Sequence, residues 1–210
     1  MKTKIKLISL FLLFLTIIGC QNFDKKVKQS IEKTTTPIQI EYGKMTTETE
    51  NLGVELQTNQ FNNWTDLVNR AEMIVCIDSL PKITFATDND IKTIYFQNIC
   101  LEEDSDKIIK QKRGFEIHND TILKNRKTTF PMDSLKNVLS RDILNNGKNP
   151  MLSENSEKLQ FFISYDKNNE FNELSKILNQ LAETYYSITN KTDIKIWLID
   201  KGYFNPPPKP

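Results

Sequence analysis

The chain has 210 residues, 28 lysines and arginines against 27 aspartates and glutamates, a formal net charge of +1 and 38% apolar residues. That length suits one domain, or one domain on a tether, and lysines spread among acidic residues exclude the clustered basic face of a nucleic-acid binder. Six glycines and one histidine leave little material for a phosphate cradle or a metal–histidine site.

The opening, MKTKIKLISLFLLFLTIIGC, decides where everything after it goes. Lys2, Lys4 and Lys6 supply a positive start, Ile5 to Ile18 an apolar core broken only by Ser9 and Thr16, and Gly19 a small residue before Cys20. The apolar run is too short to cross about 30 Å of hydrocarbon comfortably, and no basic flank follows it. Residues 1–19 therefore read as a secretory signal and not as a retained membrane helix. Loss of their three lysines leaves 25 basic against 27 acidic residues, a formal charge of −2. No later run of about 18 apolar residues is present, so no second membrane segment is expected.

Residues 20–60 read as a tether. They are rich in Lys, Thr and Glu, with a weak helical start near Val27 to Ile31 and no sustained period after it. The alternative is a poorly packed domain edge with one strand at Ile38 to Tyr42. A globular domain is expected over 61–204. It opens with a helix from Trp64 to Met73, capped by Asn63, on which Trp64, Leu67, Val68 and Ala71 share a face. Strand-like runs follow at Met73 to Ile77, Ile83 to Ala86 and Ile91 to Leu101, separated by Pro81 and by Asp88-Asn89-Asp90. Cys76 and Cys100 both fall in these runs. In an exported chain such a pair can form a disulfide contributing about 2 to 4 kcal/mol; two separate buried thiols are the alternative. Neither cysteine has the paired spacing of a zinc site, and no cofactor is expected.

The C-terminal half gives the sharpest pattern. Phe115 to His118 and Thr121 to Lys124 flank Asn119-Asp120, a pair suited to a two-residue hairpin turn. Asp133 is placed to cap a helix carrying Leu135, Val138, Leu139 and Ile143, and Gly147 supplies its stop. Leu159 to Tyr165 reads as a central strand, Phe171 to Ser187 as a long amphipathic helix, and Ile194 to Ile199 as a last strand. The order strand, strand, helix, strand, helix, strand predicts an α+β fold. Two helices lie on one face of a mixed sheet, preceded by a helix and two or three strands.

Two resemblances attach to these stretches. Ile17-Ile18-Gly19-Cys20 resembles the lipobox of bacterial lipoproteins, which implies a diacylglyceryl thioether on the Cys20 sulfur, cleavage before it and acylation of the new amino group. Two or three chains anchor stably where one binds only marginally, at about 0.8 kcal/mol per buried methylene. The resemblance thus implies a protein held on a membrane and facing the periplasm or the cell surface. Residues 115–200, through FEIHNDTILKN, DSLKNVL, LQFFISYDKNNEFNELSKILNQL and IKIWLID, are similar to the periplasmic domain of the ExbD/TolR family of biopolymer transport proteins. That similarity implies a domain that dimerises or docks onto envelope partners. Family members carry a membrane helix with a proton-handling aspartate, which this chain lacks. Asp166 falls where the family strand often ends in aspartate; a turn or helix-capping carboxylate is the plainer reading.

His118, the sole histidine, lies beside the hairpin turn and reads as an exposed strand-end residue, so no Ser-His-Asp site is expected. The acidic residues Glu102, Glu103, Asp104 and Asp106, and the turn pair Asp88 and Asp90, lack the spacing of a calcium loop and read as solvated. Asp78-Ser79-Leu80, Asp120-Thr121-Ile122 and Asp133-Ser134-Leu135 resemble acceptor sites for O-glycosylation in some Gram-negative bacteria. The tail from Asn205 to Pro210 is extended, either as a polyproline ligand or as a solvated end. The expected function is a lipid-anchored envelope protein that binds or scaffolds without catalysis. Its partners would be the membrane, through the lipid, and an envelope protein or a second copy. An accessory component of an energised transport assembly and an envelope hydrolase are the alternatives.

Overall fold

Alternating branched and aromatic residues build two sheets. The computed structural model describes residues 37–44, 53–100, 113–124, 128–166 and 171–200. Among them the first sheet comprises β1 (Ile38–Tyr42), β2 (Gly53–Glu55), β3 (Leu80–Ala86) and β4 (Asp90–Tyr95), in the order β1-β4-β3-β2. Its central hairpin is antiparallel, and each outer strand runs parallel to its neighbour. The second sheet comprises β5 (Gly114–His118), β6 (Thr121–Lys124), β7 (Thr128–Pro131), β8 (Gln160–Ser164) and β9 (Ile196–Leu198), in the order β7-β6-β5-β8-β9. There β5, β8 and β9 are parallel, and β6 and β7 are antiparallel. With the helices α1 (Trp64–Val75), α2 (Leu135–Ile143) and α3 (Leu174–Thr189), the architecture is α+β with mixed sheets.

The sheets are sewn together just past β4. Phe96 bridges to Ile196 in parallel. The Gln97 amide donates to the Ile196 carbonyl at 2.7 Å, and its side-chain amide donates to the Gly43 carbonyl at 2.6 Å. The Asn98 side chain then imitates a strand, donating to the Leu198 carbonyl at 2.7 Å and accepting from the Leu198 amide at 3.0 Å. Gly43 is forced at this junction. Its φ is +74°, and a Cβ there would lie 2.7 Å from the Tyr95 carbonyl oxygen and 2.9 Å from that of Ile194.

Each helix buries the stripe its spacing dictates. On α1 these are Trp64, Leu67, Val68, Ala71 and Ile74; on α2, Leu135, Val138, Leu139 and Ile143; on α3, Leu174, Ile177, Leu178, Leu181, Ala182 and Tyr185. The second sheet answers with Phe115, Ile117, Ile122, Phe161, Ile163, Ile196 and Leu198 at alternate positions, all fully buried. Asn63 caps α1, its side chain accepting from the Asp66 amide at 3.0 Å.

Several expectations are corrected. Residues 53–55, read as tether, are β2 of the first sheet, the strand at 38–42 that stood as the alternative to a tether is β1, and the compact unit begins at Ile38. Met73 to Ile77 is not a strand, because Ile74 completes the buried stripe of α1 and the chain turns only at Asp78, whose φ is 57°. Strand β4 stops at Tyr95 and not at Leu101. The unforeseen β7 ends on Pro131 at the sheet edge, where a residue without an amide proton is tolerated. Asp133 lies within a short 3-10 turn, Met132–Ser134, one residue before the N-cap of α2.

Polar groups finish the edges. The Glu55 carboxylate accepts from the Thr84 amide at 2.6 Å and from its hydroxyl at 2.9 Å, just where β2 stops covering β3. On the same face the Tyr95 hydroxyl donates to Glu41 Oε1 at 2.8 Å. Burial first, and then this bond, push the Tyr95 phenol up to about 12 from an ordinary 10.0. A phenol whose folded value is raised contributes stability that is complete below the unfolded value and fades as pH climbs from 10.0 toward about 12. Urea titrations across that interval should show a shallower alkaline loss of stability in Tyr95→Phe than in the parent.

Lys124 sits on the helix-facing side of β6, since it alternates with Ile122, and only 2% of its side chain is exposed. Its ammonium lies 2.9 Å from Oδ1 of the fully buried Asp142 on α2, and 4.4 Å from the centroid of the Phe115 ring. The Ser153 amide donates to the same Asp142 oxygen at 3.0 Å, and burial holds the lysine below its ordinary range. Removing one member strands the other charge. Lys124→Ala should therefore cost about 3 to 5 kcal/mol by urea denaturation, and the paired change Lys124→Met with Asp142→Asn should restore more than half of that loss.

Candidate functional site

Ligand sites in sheets with parallel strands collect at the carboxyl ends of those strands. Here β5, β8 and β9 end side by side, and β5 and β8 are in register with His118 opposite Ser164. Alternation turns both residues away from the helices, onto the face that also holds Glu116 and Phe162. The hairpin turn after β5 and the chain after β8 then bring Asn119 and Asp166 together.

These residues close a polar ring. His118 Nδ1 lies 3.0 Å from Ser164 Oγ, which donates to Glu116 Oε1 at 3.4 Å. On the other side of the imidazole, Nε2 is 3.5 Å from Asp166 Oδ1 and 3.5 Å from Asn119 Nδ2. Asn119 takes the positive φ of the turn, 55°. Its amide donates to the Ser164 carbonyl at 2.9 Å, its side chain donates to Asp166 Oδ2 at 3.2 Å, and its Oδ1 accepts from the Asp166 amide at 3.3 Å. The His118 tautomer thus sets which of these contacts the imidazole donates and which it accepts.

Aromatic rings cluster on the helix-facing side just past β8. Tyr165 packs against Trp64 at 4.9 Å between centroids, and Phe171 stands edge-on to Trp64 at 5.8 Å. Trp64 Nε1 donates to the Ile199 carbonyl at 2.8 Å, and Thr65 donates to Asp200 at 3.2 Å, so α1 is tied to the end of β9. Burial, helped by Glu173 and Asp120, pushes the Tyr165 phenol well above its ordinary range.

Serine, histidine and aspartate thus meet, as in a hydrolytic triad, but in an arrangement that does something else. Ser164 is fully buried, so its hydroxyl is not presented to a substrate, and the serine and the carboxylate sit on the opposite ring nitrogens to those of a serine hydrolase. The ring instead clamps the β5–β6 turn to the end of β8. His118, expected to be exposed, has only 17% of its side chain accessible. Asp166 serves as a turn carboxylate across 47 residues of sequence. Among the described residues, no group of three or more His, Cys, Asp or Glu side chains is placed to hold a metal ion.

Cys76, at the end of α1, and Cys100, just past the 96–98 junction, are joined by a disulfide with Cα atoms 4.9 Å apart. Closing 24 residues, it restricts the unfolded chain by about 3.5 kcal/mol in the chain-entropy account. Asp88 and Asp90 lie in and beside the β3–β4 turn, which is closed by the Thr87 amide donating to the Asp90 carbonyl at 2.8 Å. Ser79, Thr121 and Ser134, the hydroxyl residues of the three acceptor-like triplets, are each half-buried. Cys20, the acidic run at 102–106 and the proline tail lie outside the described residues. Comparison of the chain with protein-family models, with curated proteins and with solved structures finds no match.

Asn119→Gly keeps the positive φ but deletes both side-chain bonds to Asp166, and should lower stability by about 1 to 2 kcal/mol. Asn119→Val, which also strains the turn, should lower it by about 1 kcal/mol more in the same urea titration.

Proposed function

We propose that the protein is exported and held on a membrane of the cell envelope by lipid on Cys20, and that the unit beginning at Ile38 is a non-enzymatic binding or scaffolding module. The observation that carries this reading is the Cys76–Cys100 disulfide behind an N-terminal export pattern, since such bonds form and persist in oxidising compartments. Burial of Ser164 and the clamping role of the His118 ring support binding over hydrolysis. The partner is a second copy or another envelope protein. A second reading, as an accessory component of an ExbD/TolR-like transport assembly, is favoured by the order of elements from β5 to β9. In that reading the lipid would replace the family's membrane helix.

Membrane fractionation of cells expressing the parent and Cys20→Ala tests the anchor. The parent should sediment with membranes and carry the added mass of diglyceride and acyl chains, and the variant should move to the soluble fraction; an unlipidated, soluble parent refutes the reading. In-cell crosslinking then separates the partners. Capture of a proton-channel subunit by the lipidated form alone favours the transport assembly, and self-crosslinks alone favour the scaffold.

A further inference from the structure

A second buried lysine lies on the first sheet. Lys92 alternates with Ile94 and Phe96 on the core face of β4, between Ile40 on β1 and Phe85 on β3, and its side chain is 2% exposed. Its ammonium reaches α3, where it meets two side chains one helical turn apart. It donates to Asn179 Oδ1 at 2.7 Å and to the carboxylate of Glu183. One amine therefore contacts both a carboxamide and a carboxylate that lie one turn apart on α3, with apolar neighbours on the sheet side. Glu183 is 57% exposed and opens the cluster to solvent on the helix side.

We infer that Lys92 and Asn179 are a site of spontaneous covalent crosslinking, forming an amide between β4 and α3 with Glu183 as the proton carrier. Each group supplies one requirement of acyl transfer. Lys92 is the nucleophile once deprotonated, the Asn179 carboxamide is the acyl donor, and Glu183 is the base and then the acid. Fixing all three on a strand and a helix replaces the improbable encounter of an amine with an unactivated amide.

The step balances without any added reagent. Glu183 takes a proton from the Lys92 ammonium, and the freed lone pair attacks Asn179 Cγ to form the Nζ–Cγ bond. Glu183 passes its proton to Asn179 Nδ2 as the Cγ–Nδ2 bond breaks. The second proton shed by Nζ leaves with the ammonia, by way of Glu183, as ammonium. One ammonium and one primary amide become one secondary amide and one free ammonium ion, with no oxidation or reduction. The product also removes an ammonium from an apolar surrounding, where charge is held at a penalty, and the exposed side of Glu183 gives the ammonia its way out. This inference stands whether or not the protein is lipidated.

The test is peptide mass analysis of the full-length protein, purified from its own cells, reduced, denatured and digested with trypsin. The parent should yield a branched peptide joining Lys92 to Asn179, lighter by about 17 Da than its two parts, with no cleavage after Lys92. Lys92→Arg, which keeps the charge, should give a folded protein without the branch. Glu183→Gln keeps an acceptor for Lys92 but cannot carry a proton, and should slow branching by about 100-fold or more. A parent digest with Lys92 cleaved and Asn179 intact, or deamidated, overturns the inference. Branching at the parent level in Glu183→Gln overturns the role given to the carboxylate.

Discussion

Strand β9 is only three residues long, and a strand of that length cannot hold a sheet edge unaided. It pairs with β8 on one side. On the other side it is closed by Phe96, Gln97 and Asn98, which have just left the first sheet. The Asn98 side chain makes the two bonds that a neighbouring backbone would have made, so the ladder continues one step past its last true strand residue. The register between the two sheets is set there. Trp64 fastens α1 to the same place through the Ile199 carbonyl, and the disulfide ties the end of α1 to Cys100 only two residues beyond Asn98. The carboxyl-end ring of His118, Asn119, Ser164 and Asp166 inherits its rigidity from this junction, because β8 is held between β5 and a fixed β9.

The helices are positioned by a repeated device. In each sheet one lysine occupies a core-facing strand position and reaches a polar group on the covering helix: Lys124 reaches Asp142 on α2, and Lys92 reaches Asn179 and Glu183 on α3. Apolar contacts alone would allow a helix to slide by a turn with little penalty. A buried charge has one place where it is satisfied, so it selects one register at some expense of stability. Helix α3 thereby serves both sheets, with Tyr185 edge-on to Phe161 of the second at 6.1 Å and Lys92 fastening it to the first.

What could be read from the chain alone follows how local each signal is. The stripe and cap of α1, the hairpin around Asn119-Asp120 and the long stripe of α3 are written within one element, and they stand where their spacing put them. Strand β1 was legible only as an alternative to a tether, and β2 not at all, because Ile38-Gln39-Ile40-Glu41-Tyr42 and Gly53-Val54-Glu55 are short runs among Thr, Lys and Glu, and their partners lie tens of residues away. The end of α1 was misread because Ile74 and Val75 have strand preferences that packing overrode. His118 and Asp166 were visible as residues, but their meeting depends on the pairing of β5 with β8, which no local pattern encodes. Lys92 and Lys124 did carry a signal. Each interrupts an apolar alternation on the face that points inward, and a lysine in that phase announces a distant partner.

Glu55 has a consequence for how copies of this chain meet. A three-residue edge strand leaves part of β3 uncovered, with donors free to recruit a foreign strand, the usual beginning of edge-to-edge aggregation. The carboxylate occupies the Thr84 donor and sets a negative charge beside it. Wherever copies of the chain are concentrated, encounters multiply and any open edge would be probed continually. One side chain, folded back on its own sheet, lets neighbours crowd without polymerising through that edge.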